Sequence, residues 1–221
     1  IRSNTGEGRN PVRIGYSEPL FMQILSELLK RYLELWPEPV ITPELICDQT
    51  DSNLSRLQKG QLDCVLSMKD DHFNDGDIVF MTLQNCGFLC SMAKTHPLAA
   101  PYLADPEKPR EISTEEIWPY RHIIGIPPYL LKKYFSRGRA LVPVNDKVNN
   151  IICSNTNEAC ALVLSGIGYS MIPEYLNLGH PDILYLKWKE TSRAPFGIYY
   201  RKTGSKPSPA ERFVWIAKDY Y

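Results

Sequence analysis

The sequence predicts an α/β protein built as two sheet-containing lobes. Three observations predict it. From Pro11 onward the apolar residues switch between a strand period and a helical period. The switching restarts after a proline-rich stretch at residues 95–111. A chain of 221 residues can bury two small cores as readily as one large one.

Residues 1–10 are polar and glycine-bearing with no apolar period, which predicts a linker. Val12, Ile14 and Tyr16 alternate as a strand, and Ser17 and Pro19 break it. Over residues 20–36, Leu20, Ile24, Leu28 and Leu35, with Phe21, Leu25, Leu29 and Tyr32, form one wide apolar helix face. Residues 40–47 read as a strand, Asp51 or Ser52 can cap a helix through Leu57, and Gly60 ends it before a strand at 64–68. This β-α-β-α-β order implies a mostly parallel sheet with right-handed crossovers, because tight hairpins cannot join parallel strands. Further strands are predicted at 78–81 and 86–92.

Residues 95–111 lack periodicity, and Ser113-Thr114-Glu115-Glu116 then reads as a capping box opening a short helix and a second lobe. Its strands are predicted at 122–126, 148–153, 169–172 and 183–188, with helices near 129–135 and 157–164. A late strand at 196–201 precedes a final helix at 209–220, which brings Phe213, Trp215 and Ile216 to the core and returns to the first lobe.

Composition excludes several function classes. With 25 basic and 25 acidic residues, the chain lacks the positive surface that non-specific DNA binding needs, so any DNA contact comes from elsewhere. The charge is uneven: residues 44–81 hold eight acids and three bases, and residues 187–221 hold eight bases and three acids. These read as solvated faces, or as a self-association surface. The six cysteines contain no CxxC and the four histidines no HxxxH or HExxH, so neither a metal nor another cofactor is expected. Cysteines inside apolar runs behave as small buried hydrophobes, and reduced thiols fit the cytoplasm. No apolar run approaches the roughly 20 residues of a membrane span, and no leader opens the chain.

In open α/β sheets, ligands bind beyond the carboxyl ends of strands, where helix N-termini present unpaired N–H groups. That rule selects residues 17–20, 49–53 and 67–69 in the first lobe, and 126–129 and 154–157 in the second. All are rich in small hydroxyl or amide groups; Ser17, Asp51 and Asn155 taken singly read as helix caps, and the cluster carries more than its members. Glu18, Asp51 and Glu158 already place acid at these helix starts and leave the ligand's charge open. Tyr129 and Phe196 can wall an apolar pocket or fill ordinary core. Enzyme signals are weak. Gly166-Ile167-Gly168 lacks a third glycine and lies between helix and strand, the reverse of a phosphate cradle, and reads as a helix-ending turn. There is no GxSxG elbow or P-loop, the histidines are isolated, and His96 before Pro97 reads as a turn residue. Asp63 reads as a carboxylate holding backbone N–H groups after Gly60.

Four motifs in order resemble the effector-binding domain of LysR-type transcriptional regulators. They are Arg13-Ile14-Gly15-Tyr16-Ser17 with its long helix ending at residues 32–37; Leu54, Leu57, Gly60, Leu62 and Asp63; His96-Pro97-Leu98-Ala99; and Gly166 to Pro173, resembling Gly-x-Gly-(Ile/Tyr)-x-x-(Leu/Ile)-Pro. The resemblance implies a type 2 periplasmic-binding-protein fold of two Rossmann-like lobes joined by two crossover strands. It places a linker at 1–10, lobe I at 11–86 and 196–221, and lobe II at 87–195. The crossovers fall near 85–92 and 194–201, with hinge positions at Cys90 and Phe196. It implies ligand contacts from Ser17, Glu18, Thr50, Ser67 and Met68 in lobe I, and from Pro127, Tyr129, Asn155 and Thr156 in lobe II.

The resemblance further implies a small-molecule effector in the interlobe cleft and no catalysis. It implies pairing as a homodimer or homotetramer, and DNA contact only through an N-terminal winged helix-turn-helix absent from these residues. The acidic run Asp70, Asp71, Asp75 and Asp77 is a departure from the pattern. An extracytoplasmic solute-binding protein of a transporter shares the implied architecture and is the alternative, with a deaminase or dehydratase on the same fold as a third reading.

Overall fold

The strand Val12–Tyr16 (β1) opens the described part of a computed structural model covering residues 12–17, 22–36, 43–47, 50–126, 145, 148–177, 179–202 and 207–221. The linker expected at 1–10 and the helix expected at 129–135 lie outside the described residues. The chain divides into two units, Ile1–Asn85 with Ala194–Tyr221, and Cys86–Arg193.

In the first unit, Met22–Leu35 (α1), Pro43–Cys47 (β2), Thr50–Gln58 (α2), Cys64–Met68 (β3) and Ile78–Cys86 (β4) follow β1. The unit is completed by Ala194–Arg201 (β11) and Pro209–Tyr220 (α6). The sheet order is β2-β1-β3-β11-β4. β1 pairs parallel with β2 and β3, as the β-α-β-α-β order requires, whereas β11 runs antiparallel to β3. β11 lies between β3 and β4, and Gly197 suits that place because a Cβ there would collide with the Met81 carbonyl oxygen.

On α1, Leu25, Leu28 and Tyr32 recur at spacings of three and four and are buried, the stripe that turns an amphipathic helix toward a core. Leu35, expected on that face, is exposed at the last turn. α1 packs along α6, with the Tyr32 and Phe213 rings 6.3 Å apart. α6 begins with a Ser208–Glu211 capping box and buries Ala210, Phe213, Val214 and Ala217. Trp215, expected in the core, is 47% exposed, because one residue beyond Val214 the helix has turned it off the buried stripe.

α2 begins at Thr50, so Asp51 and Ser52 lie inside its first turn and do not precede it as caps. Gly60 ends the turn with φ +68°, the left-handed conformation that glycine adopts without penalty. Leu54, Leu57, Leu62, Val65, Ile78 and Tyr199 form the core beneath. The acidic run is a self-bonded loop over the end of β11. Asp70 N–H donates to the Tyr199 hydroxyl at 2.7 Å, Asp75 accepts from Gln58 and from Asp77 N–H, and Asp77 pairs with Arg201 at 3.0 Å.

The second unit contains Phe88–Ala93 (β5), Ala100–Ala104 (α3), Glu111–Ile112 (β6), Thr114–Ile117 (α4), Ile123–Ile124 (β7) and Ile151–Ile152 (β8). Thr156–Leu164 (α5), Tyr169–Pro173 (β9) and Ile183–Trp188 (β10) complete it. Its larger sheet has the order β6-β10-β5-β9, in which β5 is antiparallel to both neighbours, so the mostly parallel sheet expected from alternation does not extend to this unit. β7 and β8 form a separate parallel pair of two residues each, shorter than predicted. The stretch 95–111, read as aperiodic, holds a 3-10 turn at Pro97–Ala99, α3 and β6.

Ser113 and Glu116 make the predicted capping box, and Glu116 also accepts from the Tyr102 hydroxyl at 2.8 Å. Around this knot Tyr102, Ile112, Ile117, Met92 and Leu186 are buried. Gly166 turns the chain after α5 with φ +77°, and Gly168 lets it pass against Arg121, whose carbonyl oxygen would meet a Cβ at 2.3 Å.

Candidate functional site

In the first unit the parallel register sets Tyr16 opposite both Cys47 and Leu66. Ser17 and Ser67 therefore stand side by side at the carboxyl edge, each one residue past that level. Met68 follows, paired with Phe196 at the start of β11, while Ser67 pairs with Gly197. Thr50 opens α2 at this same edge: Asn53, three residues on and fully buried, donates from Nδ2 to the Tyr16 carbonyl at 3.0 Å. Ser67 is buried and its hydroxyl donates to the Met68 carbonyl at 2.7 Å. Ser17, Thr50, Ser67 and Met68 are thus gathered by one strand edge and one helix start. Glu18 lies outside the described residues.

The second unit repeats the device on a smaller scale. Ile124 stands opposite Ile152 in the β7–β8 pair, and Cys153 N–H donates to the Ile124 carbonyl at 2.9 Å, so Gly125 and residues 154–156 emerge together. Gly125 passes so close to α5 that a Cβ would lie 3.1 Å from the Thr156 Cα. Asn155 caps α5, its Oδ1 accepting from Glu158 N–H at 3.1 Å, and Thr156 is buried at the first helical position. Glu158 closes the cap, its carboxylate accepting from Ser154 N–H at 2.8 Å and from Asn155 Nδ2 at 3.1 Å. An anion at this helix start meets an acceptor already in place. Pro127 and Tyr129 lie outside the described residues.

Sequence reasoning did not single out Asn53 or Gly125, yet each fixes a site loop. Asn53 had a visible signal, an amide three residues into a helix opening on Thr50, whereas Gly125 is explained only by a helix thirty residues away. Cys90 is buried in the middle of β5 opposite Met171, and Phe196 is fully buried in β11. The chain passes between the units after Asn85 and again after Arg193.

Several other reactive side chains are buried. Cys64, Cys86, Cys90 and Cys153 are buried, and burial pushes their thiols up, Cys86 to about 12, which keeps them protonated. His96 caps the 3-10 turn, its Nδ1 accepting from Leu98 N–H at 3.2 Å, and His122 stacks on Tyr169 with ring centroids 4.9 Å apart. Among the described residues no cluster of three metal-ligating side chains occurs, and no helix is long and apolar enough to cross a membrane.

A family model described as the LysR substrate binding domain matches residues 5–221. No curated protein matches the chain. Among solved structures, the BenM effector binding domain with its effector benzoate superimposes with a TM-score of 0.71 at 18% identity, covering 97% of this chain and 92% of that one. The effector binding domain of QuiR in complex with shikimate gives 0.67 at 17%, covering 96% and 97%. Full-length CbnR complexed with its target DNA gives 0.68 at 15%, covering 96% of this chain and 68% of CbnR. The fold is that of these domains, type 2 periplasmic-binding-protein-like and mixed α/β.

Proposed function

Because the chain belongs to the LysR substrate-binding-domain family, and is an effector-binding domain of that type, we propose that it takes a small metabolite into a cleft between its two units. Occupancy there modulates DNA binding or transcription through an N-terminal winged helix-turn-helix of the full-length regulator. One observation carries the reading. In each unit, separately, hydroxyl and amide side chains collect where parallel strands end and a helix begins, at Ser17, Thr50 and Ser67 in one and at Asn155 and Thr156 in the other. Such edges supply the few placed polar groups that orient a ligand in a pocket. Met68, Glu18, Pro127 and Tyr129 belong to the same proposed lining.

The ligand acts by binding one arrangement of the units better than another, and only that difference in affinity can shift the equilibrium. A homodimer or homotetramer of the regulator, in the cytoplasm, converts the shift into a change in how the DNA-binding heads are presented. The domain senses and does not turn its ligand over. BenM with benzoate and QuiR with shikimate make small ring-bearing acids the first compounds to test.

Thermal-shift screening or calorimetry with aromatic acids, amino acids and central metabolites tests the proposal. A ligand present at one hundred times its dissociation constant adds about 2.7 kcal/mol to stability. In a chain of this size that raises Tm by roughly 5–10 °C. Absence of saturable stabilisation across such a library overturns the reading.

A further inference from the structure

The two connections between the units are both bound by the Glu174 side chain of the second unit. Its first residues are Cys86 and Gly87 and its last is Arg193. Glu174, directly after β9, accepts from Gly87 N–H at 3.0 Å through Oε2, and the same oxygen accepts from Arg193 Nη2 at 3.0 Å. Glu174 N–H also donates to the Gly87 carbonyl at 3.0 Å, so both backbone groups of Gly87 are engaged by one residue.

A second tie runs beside the first. Phe88 N–H donates to the Thr191 hydroxyl at 2.9 Å, joining the incoming and outgoing segments directly. Gly87 is required by this closeness, since a Cβ there would lie 2.8 Å from Thr191 Cγ2. On the first unit's side, Lys69 N–H donates to the Pro195 carbonyl at 2.8 Å and Phe196 is paired to Met68. At the second junction only Ala194 stands between Arg193 and the anchored Pro195.

We propose that Glu174 is a clasp that couples the two connections, so that the units reorient by bending at the Asn85–Cys86 and Arg193–Ala194 junctions as one pair. Charge-assisted hydrogen bonds from a backbone N–H and a guanidinium to one carboxylate resist separation of the two segments. A paired hinge allows fewer relative motions than two independent ones, which favours a small set of arrangements for a ligand to select between. The inference rests on the units moving against one another, as the proposed function requires.

Paramagnetic labels on keto amino acids in place of Lys59 in the first unit and Ala161 in the second, both exposed, report the distribution of inter-unit distances by double electron–electron resonance without any ligand. Glu174→Ala is expected to broaden that distribution about two-fold and to speed amide exchange at Gly87 about ten-fold. Arg193→Ala broadens it less, and Glu174→Gln, which keeps an acceptor for Gly87 N–H, falls between the parent chain and Glu174→Ala. Unchanged widths in Glu174→Gln and Arg193→Ala overturn the clasp, even if exchange at Gly87 quickens. These two variants decide the matter should Glu174→Ala not fold. A ligand screen that finds nothing leaves this measurement intact, so failure of the clasp and failure of the sensing role are told apart.

Discussion

Asp63 accepts hydrogen bonds from Arg13 three times, from its backbone N–H at 2.7 Å, from Nε at 3.1 Å and from Nη2 at 2.9 Å, while Asp63 N–H donates back to the Arg13 carbonyl at 2.9 Å. The pair locks the turn after Gly60 to β1 at the edge away from the candidate site. Asp63→Asn keeps an acceptor for the backbone N–H and loses the charged fork. It is expected to cost about 1–2 kcal/mol, discounted because both side chains are about a third exposed. The midpoint of urea unfolding measures it, and no shift contradicts the assigned role.

Two glycines are predicted to differ in cost. Gly168→Ala sets a Cβ against the Arg121 carbonyl, a backbone atom that cannot yield without shifting β9, and is expected to lose about 3 kcal/mol. Gly60 has open space around it and only a positive φ to defend, so Gly60→Ala loses about 1–2 kcal/mol. Chemical denaturation of the two variants side by side checks the order.

His96 contributes a pH dependence. Burial holds its imidazole below the ordinary value of 6.5, and Nδ1 must stay unprotonated to accept from Leu98 N–H. The unfolded chain binds the proton more readily, so the stabilising contribution is present above pH 6.5 and is lost as pH falls from there through the lower folded value. His96→Asn, which retains a capping acceptor, flattens that part of the Tm profile measured from about pH 5 to pH 8.

Asn155 is expected to separate folding from binding. Asn155→Ala removes the cap of α5 and costs about 1 kcal/mol. Asn155→Ser restores an acceptor for the helix and recovers that stability, but lacks the amide donor. If Asn155 faces the effector, the serine variant melts with the parent protein yet loses most of the ligand-induced rise in Tm for whichever compound the screen identifies. Full ligand response in Asn155→Ser removes Asn155 from the binding lining.

Local signals were legible where the chain itself supplies them. β3, β10 and α6 fall on the predicted residues because short apolar runs, a capping box and a proline at the helix start are encoded within those segments. The apolar pattern supports β4 only to Met81, because polar Gln84 and Asn85 interrupt it, yet the strand runs on to Cys86 beside β11, a partner far along the chain. Strand direction in the second unit was hidden for the same reason: apolar period reveals that a strand exists, not which neighbour it takes. For the site, the strand-end rule selected Ser17, Ser67 and Asn155 from the alternation alone. The supports Asn53 and Gly125 depend on how closely helix and strand approach, which no single segment records.

The placement of β11 between β3 and β4 has a consequence for synthesis on the ribosome. The sheet β6-β10-β5-β9 lies wholly within Cys86–Arg193 and can pair as soon as that stretch emerges, whereas the earlier strands must wait with an unfilled gap until residues 194–201 are made. A nascent chain stalled before Ala194 exposes the bare backbone edges of both β3 and β4 and invites foreign strands. Residues 194–201, which border Ser67 and Met68 of the proposed lining, therefore also govern whether the newborn polypeptide stays clear of aggregation.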